Sequence, residues 1–367
     1  MMKKKSNYYY DLKNDLQAYP EAWCYIIVGG RNTGKTYSAL RYCVENGIRC
    51  VYVKRTIKDV EMISAGHRIG SKPDEDAPDI DLSPFKALNR DYGWNVRAFG
   101  VPKVDGVAGF WACDSDNEPK GTPISYIAAL NAVSSIKGFD LSDCDIMLFD
   151  EFIPQPWERV SRSEGVQIME LYKTIARDRE HRGKEPLKLI ALANAVNISN
   201  PLMNILEVTD IFANLQARKE STIYIEERGI FLHQIKDNQD FLEREKQTML
   251  YKAMGLTNWG QMAFENSFAY NDFSNIEKKI LKQYRPTLSI IYKRDTWYMY
   301  RKDGRVYFCK NKQKCDRIYD LNKDNDIKRF YWDVLVDLDV DLMNDRVRFE
   351  TYTMYDVIVN YKQFFKL

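Results

Sequence analysis

Through the first two-thirds of the chain, short apolar runs rich in β-branched and aromatic residues alternate with segments of helical spacing. This is the pattern of a parallel sheet with crossover helices. Tyr25–Val28 reads as a first strand, Thr36–Asn46 as the helix behind it, closed by Gly47, and Cys50–Lys54 as a second strand, together a βαβ unit. Trp94–Phe99, Gly109–Cys113 and Ile124–Leu130 read as strands joined by Gly, Pro and Asp turns, a hairpin leading back into the sheet. Asp145–Phe149 and Leu187–Leu192 are nearly continuous apolar runs, as strands buried on both faces require, with helical spacing over Val166–Arg179 between them. Thr222–Ile225 and Ile230–Ile235 follow as strands, then a charged helix from about Asp240 to Met254. After Pro286, Leu288–Tyr292, Thr296–Arg301 and Arg305–Lys310 are strands of a smaller α+β domain. The expected organisation is a main domain over residues 1–235, a helical linker over 236–285 and a second domain over 286–367. Within the first, about 64–90 reads as a loop insertion, because Gly66, Gly70, Pro73, Pro78 and Pro84 accompany acids from Asp74 to Asp81.

Composition adds limits. A chain of 367 residues, 45% hydrophobic, has room for one large core and a smaller one. A net charge of +2 excludes attraction of nucleic acid over the whole surface and leaves only regional patches. Such a patch runs from Lys278 to Arg317, where cations far outnumber acids and Tyr284, Tyr292, Trp297, Tyr298, Tyr300 and Tyr307 are interleaved as core residues on alternating strand faces. The seven cysteines show no C-x-x-C spacing, which argues against a zinc site or a disulfide scaffold and for a reducing cytoplasm. The start lacks an apolar signal core and no run reaches about eighteen apolar residues, so a soluble, unexported protein without membrane contact is expected. His67, His181 and His233 are scattered and take no role.

The chemistry-bearing segment is Gly29-Gly30-Arg31-Asn32-Thr33-Gly34-Lys35-Thr36, which matches G-x-x-x-x-G-K-[ST] between a predicted strand and a predicted helix. Glycines let the backbone curl so that N–H groups and the helix N-terminus face phosphates. Lys35 reaches the β- and γ-phosphates of ATP, and the Thr36 hydroxyl completes a Mg²⁺ shell. Ile146-Met147-Leu148-Phe149-Asp150-Glu151 is its partner, a buried strand ending in two acids. Asp150 is expected to hold the magnesium through water, and Glu151 to polarise an attacking water, a role suited to hydrolysis. Asn194 follows the Leu187–Leu192 strand at the carboxyl end where α/β folds bind ligands, either placed to sense the γ-phosphate or hold the water, or an ordinary turn residue before Asn197 and Asn200-Pro201. Arg177, Arg179 and Arg182 crowd a helix end beside Asp178 and Glu180, either as a solvated face or as an arginine finger for a neighbouring subunit. Lys54, Arg55 and Lys137 read first as surface charges, and second as phosphate or subunit contacts.

Gly29–Thr36, Val51-Tyr52-Val53-Lys54-Arg55, Phe149-Asp150-Glu151-Phe152-Ile153, Arg177-Asp178-Arg179-Glu180, Asn194-Ala195-Val196 and Asn200-Pro201, in that order, closely resemble the DNA-packaging ATPases of phi-29-like short-tailed phages. The resemblance is continuous from about Tyr25 to Pro201. It implies an ASCE-class P-loop motor related to terminases and to FtsK/HerA translocases, hydrolysing ATP to pump double-stranded DNA into a preformed capsid. It further implies a ring, commonly pentameric, docked on the portal in the cytoplasm of an infected bacterial host, with a packaging RNA in some members. Arg177 matches the arginine that acts in trans in such rings, and Lys137 falls near a basic residue of the subunit boundary. The carboxyl-terminal domain looks like an RNase H-type terminase nuclease that has lost its acids: Ser289-Ile290-Ile291-Tyr292-Lys293 carries no aspartate. Asp333, Asp337, Asp339 and Asp341 are then more readily a solvated acidic edge than a metal site. Three rivals differ in test: an active nuclease cuts plasmid DNA, a small-molecule kinase phosphorylates an acceptor and ignores DNA, and an ATP-gated scaffold binds DNA without moving it.

Overall fold

The computed structural model describes residues 9–65, 67, 69, 81–133, 139–154, 158, 160–161, 163–194, 198–236, 239–257, 274–277, 281, 284–365 and 367. Lys137, Ala195, Val196, Lys278 and the acid-rich stretch over 70–80 lie outside the described residues. The chain divides into two compact units, one of residues 1–206 and 215–269, the other of 207–214 and 270–367.

The first unit is built on a nine-stranded sheet. Its strands are β1 (Cys24–Gly29), β2 (Cys50–Lys54), β3 (Val96–Gly100), β4 (Val107–Ala112), β5 (Ser125–Ala129), β6 (Ile146–Asp150), β7 (Lys188–Asn194), β8 (Thr222–Ile225) and β9 (Ile230–Gln234). The order across the sheet is β3-β4-β5-β2-β6-β7-β1-β9-β8. From β5 to β9 every neighbouring pair is parallel. The hairpin β3–β4 and the terminal β8 join antiparallel at the two edges. β1 and β6 are buried along their whole length, and this explains their unbroken apolar sequence: a strand covered on both faces has no solvent side to mark with polar residues. Because parallel strands end on one edge, Gly29, Lys54, Asp150 and Asn194, the last residues of β1, β2, β6 and β7, come out on the same side.

The described helices of this unit include α1 (Leu12–Ala18), α2 (Lys35–Glu45), α3 (Ile57–Ile63), α4 (Lys86–Tyr92) and α5 (Glu164–Ala176). α1 and α3 carry no strong signal in the hydrophobic pattern. α4 begins within the stretch over 64–90 that the sequence reads as a loop insertion. α5 stops before Arg177 rather than at Arg179, since Arg177 turns to φ 45°. The single helix expected from Asp240 to Met254 is two, Gln239–Lys246 and Met249–Met254; the Thr248 hydroxyl accepts from the Tyr251 N–H and starts the second.

The second unit holds a five-stranded mixed sheet, with β10 (Leu288–Tyr292), β11 (Asp295–Lys302), β12 (Arg305–Cys309), β13 (Ile318–Asp320) and β14 (Val347–Phe349) in the order β13-β10-β11-β12-β14. β10, β11 and β12 form an antiparallel meander, while β13 and β14 lie parallel to β10 and β12 on the two edges. Both faces are apolar. Leu288, Ile290, Trp297, Met299, Val306 and Phe308 pack with the helices over 324–343 and 352–359, and Phe308 stacks on Phe349 at 5.2 Å. Tyr298, Tyr300, Tyr307 and Cys309 form a second cluster with Leu281. The aromatics interleaved with the cations are therefore core residues, apart from the exposed Tyr284.

Candidate phosphate-binding site

β1 runs straight into the loop Gly29–Thr36, and the loop into α2. Two glycines are dictated by space and torsion. A Cβ at Gly29 would stand 2.8 Å from Ile235 Cβ, and Gly34 caps α2 at φ 83°, where a side chain is strained. The remaining turn closes on itself, the Thr33 hydroxyl donating to Gly30 O at 3.0 Å. The first turn of α2, whose N–H groups have no intrahelical acceptor, faces the cleft.

Lys35 is buried and folds back over the loop: its Nζ donates to Gly30 O at 2.7 Å, Gly29 O at 3.1 Å, Thr33 Oγ1 at 3.2 Å and Asn194 Oδ1 at 3.3 Å. Burial pulls its ammonium down to about 8, against the opposing pull of Asp150 and Glu151. Carbonyl and amide dipoles thus solvate a cation that has no direct carboxylate partner among these bonds. β7 stands between β1 and β6, with Asn194 in register with Gly29 and Leu192 with Asp150, so the amide reaches the lysine from the neighbouring strand.

Asp150, 8% exposed, receives the Thr36 hydroxyl on Oδ1 at 2.9 Å and the Tyr52 hydroxyl on Oδ2 at 2.6 Å. Glu151 lies one residue past the strand at φ 58°, and its carboxylate is largely exposed. Lys54 bridges the pair, with Nζ 3.4 Å from Asp150 and 3.2 Å from Glu151. Burial alone depresses that ammonium; the two acids prevail and hold it above the ordinary lysine range. Burial and Asp150 together push the Tyr52 phenol well up, so it remains a donor. Arg55 fixes the turn, donating to Glu151 O at 3.1 Å and Phe152 O at 3.2 Å while pairing with the buried Glu164 at 2.8 Å. Lys54 and Arg55, read first as surface charges, are instead the groups that hold the acids and their turn. Tyr52 carries no assigned role in the sequence reading. The strand period puts residues 52 and 54 on one face of β2, but only the pairing of β2 with β6 brings that face to Asp150.

Loop, acids and amide enclose a cleft of about 360 Å³ lined by Arg31, Asn32, Thr33, Gly34, Lys35, Thr36, Tyr37, Asp150, Glu151, Ala193 and Asn194. Arg177 is not part of it. Its guanidinium donates to Phe139 O at 2.7 Å and lies 3.5 Å from Asp140. Arg179 next to it is buried and bonded to Cys144 O and Asp145, which precede β6, the end of that strand remote from Asp150. Arg182 pairs with Asp178 on the surface. In the second unit, Asp333 accepts from the Tyr319 hydroxyl and Asp341 pairs with Arg301; all four candidate acids sit on one helical segment. Among the described residues no three His, Cys, Asp or Glu side chains converge as a metal site. Nor is any described helix long and apolar enough to cross a membrane.

A family model, the podovirus DNA encapsidation protein (Gp16), matches residues 122–334, more than half of the chain. The chain belongs to this family. The match contains Asp150, Glu151, Arg177 and Asn194 and continues past Pro201 into the second unit, while the loop Gly29–Thr36 precedes it. A DNA packaging protein of Bacillus phage B103 is 25% identical over 276 residues, 73% of this chain and 70% of that one. A DNA packaging protein of Bacillus phage phi29 is 23% identical over 273 residues, 72% and 68% of the two chains. In fold, the chain resembles a chain of the bacteriophage Phi-29 viral genome packaging motor assembly, with a TM-score of 0.65 at 16% identity over 98% of this chain and 100% of that one. It also resembles the Phi-28 gp11 DNA packaging motor, with a TM-score of 0.58 at 17% identity over 99% of each chain. The large, mostly parallel α/β sheet is thus the fold of these packaging proteins.

Proposed function

We propose that this chain is the ATP-hydrolysing subunit of a ring motor that drives double-stranded DNA into a preformed capsid. The observation that carries the proposal is the Thr36–Asp150 contact of 2.9 Å in a cleft shared with Lys35, Asn194 and Glu151. An ASCE-class P-loop domain accounts for the strand order, in which β7 with its terminal amide separates the phosphate loop from the acids. Lys35, solvated by carbonyls, exchanges these dipoles for the β- and γ-phosphate oxygens of ATP, a stronger charge-assisted bond. Hydroxyl and carboxylate oxygens are the hard donors that Mg²⁺ takes; Thr36 and Asp150 would hold the ion, which when bound neutralises charge on the terminal phosphates. Glu151 accepts the proton of the water that attacks the γ-phosphorus, the bond to ADP breaks, and ADP and phosphate leave. Asn194 orients that water or the terminal phosphate. Arg177, beside Phe139 and Asp140 instead of in the cleft, serves the ATP of a neighbour in trans, which makes the homo-oligomer part of the active site.

The second unit is read as a vestigial RNase H-type nuclease, since β10 presents the buried Ser289 and no acid. Its sequence-blind cations, Arg294, Arg301, Arg305, Lys312 and Lys314 among them, suit phosphate backbones of DNA or of a packaging RNA. With the ATPase domain over 1–235 and a helical linker over 236–285, the ring, a pentamer, docks on the portal of a procapsid in the host cytoplasm. The test is the ATPase rate of the purified chain with and without double-stranded DNA. DNA should raise turnover severalfold; indifference to DNA with phosphorylation of an added acceptor would identify a kinase instead.

A further inference from the structure

The chain ahead of β1 is laid along the phosphate loop. Tyr10 N donates to Thr33 O at 3.0 Å and Leu12 N to Ser38 Oγ at 2.9 Å. Asp11 accepts from Ser38 Oγ at 3.2 Å and pairs with Arg41 at 3.0 Å, while Leu12 is fully buried. On the other side Tyr10 donates its hydroxyl to Asp15 at 2.8 Å, and Asp15 also meets His233 Nδ1 at 2.7 Å. These anchors fix the backbone of Tyr9 over Gly34, where a Cβ would lie 3.4 Å from Tyr9 Cβ and Cδ1. Yet Tyr9 itself is 56% exposed. An aromatic ring is thus held against Gly34, the residue before Lys35, by a backbone tethered through Tyr10, Asp11 and Leu12, with much of its surface in water.

We propose that the Tyr9 ring, packed against Gly34 of the loop, stacks on the purine of a bound nucleoside triphosphate. The proposal rests on the nucleotide reading above. With the triphosphate on the loop and the first turn of α2, the ribose and base leave past that turn. Tyr37 of that turn belongs to the cleft lining, its hydroxyl on Asp91 at 3.0 Å, and Tyr9 lies against Gly34, the residue before the turn. A ring platform reads the area of a π-face, so it favours purines over pyrimidines and treats adenine and guanine alike.

The experiment titrates the full chain, with Mg²⁺, against ATP, GTP, CTP and inorganic tripolyphosphate, which has no base. Tyr9→Ala should bind ATP and GTP about tenfold more weakly and lose the preference over CTP, with tripolyphosphate unchanged and the melting temperature preserved. Tyr9→Phe should match the parent chain. The base platform is overturned if Tyr9→Ala keeps full ATP affinity while Lys35→Ala binds neither ATP nor tripolyphosphate; the phosphate site then stands alone. Equal loss of ATP and tripolyphosphate would make the segment a support for the loop only, and loss in Tyr9→Phe would shift the role to the hydroxyl; either outcome also overturns stacking. If the parent chain binds neither ligand, the phosphate reading itself falls.

Discussion

The two sheets place their polar residues in opposite ways. In the first, six parallel strands end along one edge, and Gly29, Lys54, Asp150 and Asn194 meet there although they are distant in sequence. In the second, the central meander alternates direction, both faces are filled with aromatics, and the charges close on local partners, such as Lys310 on Asp295 at 2.7 Å and Arg348 on Asp345 at 3.0 Å. A parallel sheet concentrates chemistry at its carboxyl ends; an antiparallel one spends the same residue types on packing and on scattered surface pairs.

This contrast can be broken by substitution. The largest effect is expected from Arg177→Ala, which lies outside the cleft of its own chain: in the assembled, DNA-stimulated state turnover should fall by about 10³-fold or more. A full ATPase rate in that variant would remove the trans assignment. Glu151→Gln should keep ATP binding and lose about 10²- to 10⁴-fold in turnover, because only proton acceptance is removed; undiminished hydrolysis would point to another base. For the second unit the contrast predicts a stability effect in place of a catalytic one. Phe308→Ala, buried and stacked on Phe349, should cost about 3–5 kcal/mol in the unfolding of that unit while ATP affinity stays level, as paired denaturation and binding titrations would record.

The smallest effect sharpens the electrostatics of the cleft. Burial sets the Lys35 ammonium to about 8, so above that pH the free protein has released this proton, whereas bound phosphates restore it. Affinity for ATP should therefore fall with rising pH above about 8, by up to about tenfold per unit, and be flat in this respect below it. Stability carries the opposite sign. The unfolded chain regains the ordinary lysine value of 10.5, so between about 8 and 10.5 it holds more protons than the folded chain. The penalty for burying the charge is full below pH 8 and fades as pH rises through that window.

Much of the sheet was legible because burial on both faces leaves an unmistakable mark. Ile146–Phe149 and Leu189–Leu192 are apolar without interruption, and G-x-x-x-x-G-K-[ST] announces its own geometry, since Gly34 sits at φ 83° and Ile235 crowds the chain at Gly29. Short helices with weak periodicity, α1 and α3 among them, were not legible. Their stability comes from what they pack on more than from local propensity.

The sequence by itself determined the glycine-rich loop between strand and helix, the acid pair after a buried strand and the alternation of sheet and helix, because each is a local pattern tied to a local physical need. Only the tertiary structure decided the environment of those acids. Tyr52 and Lys54 lie almost one hundred positions from Asp150. They reach it because β2 pairs with β6, and Tyr9 reaches Gly34 because a fully buried Leu12 and the Asp11–Arg41 pair draw the chain back over the loop. Strand order and chain return are choices among many packings of the same elements, settled by the summed burial of the whole unit and by no single segment within it.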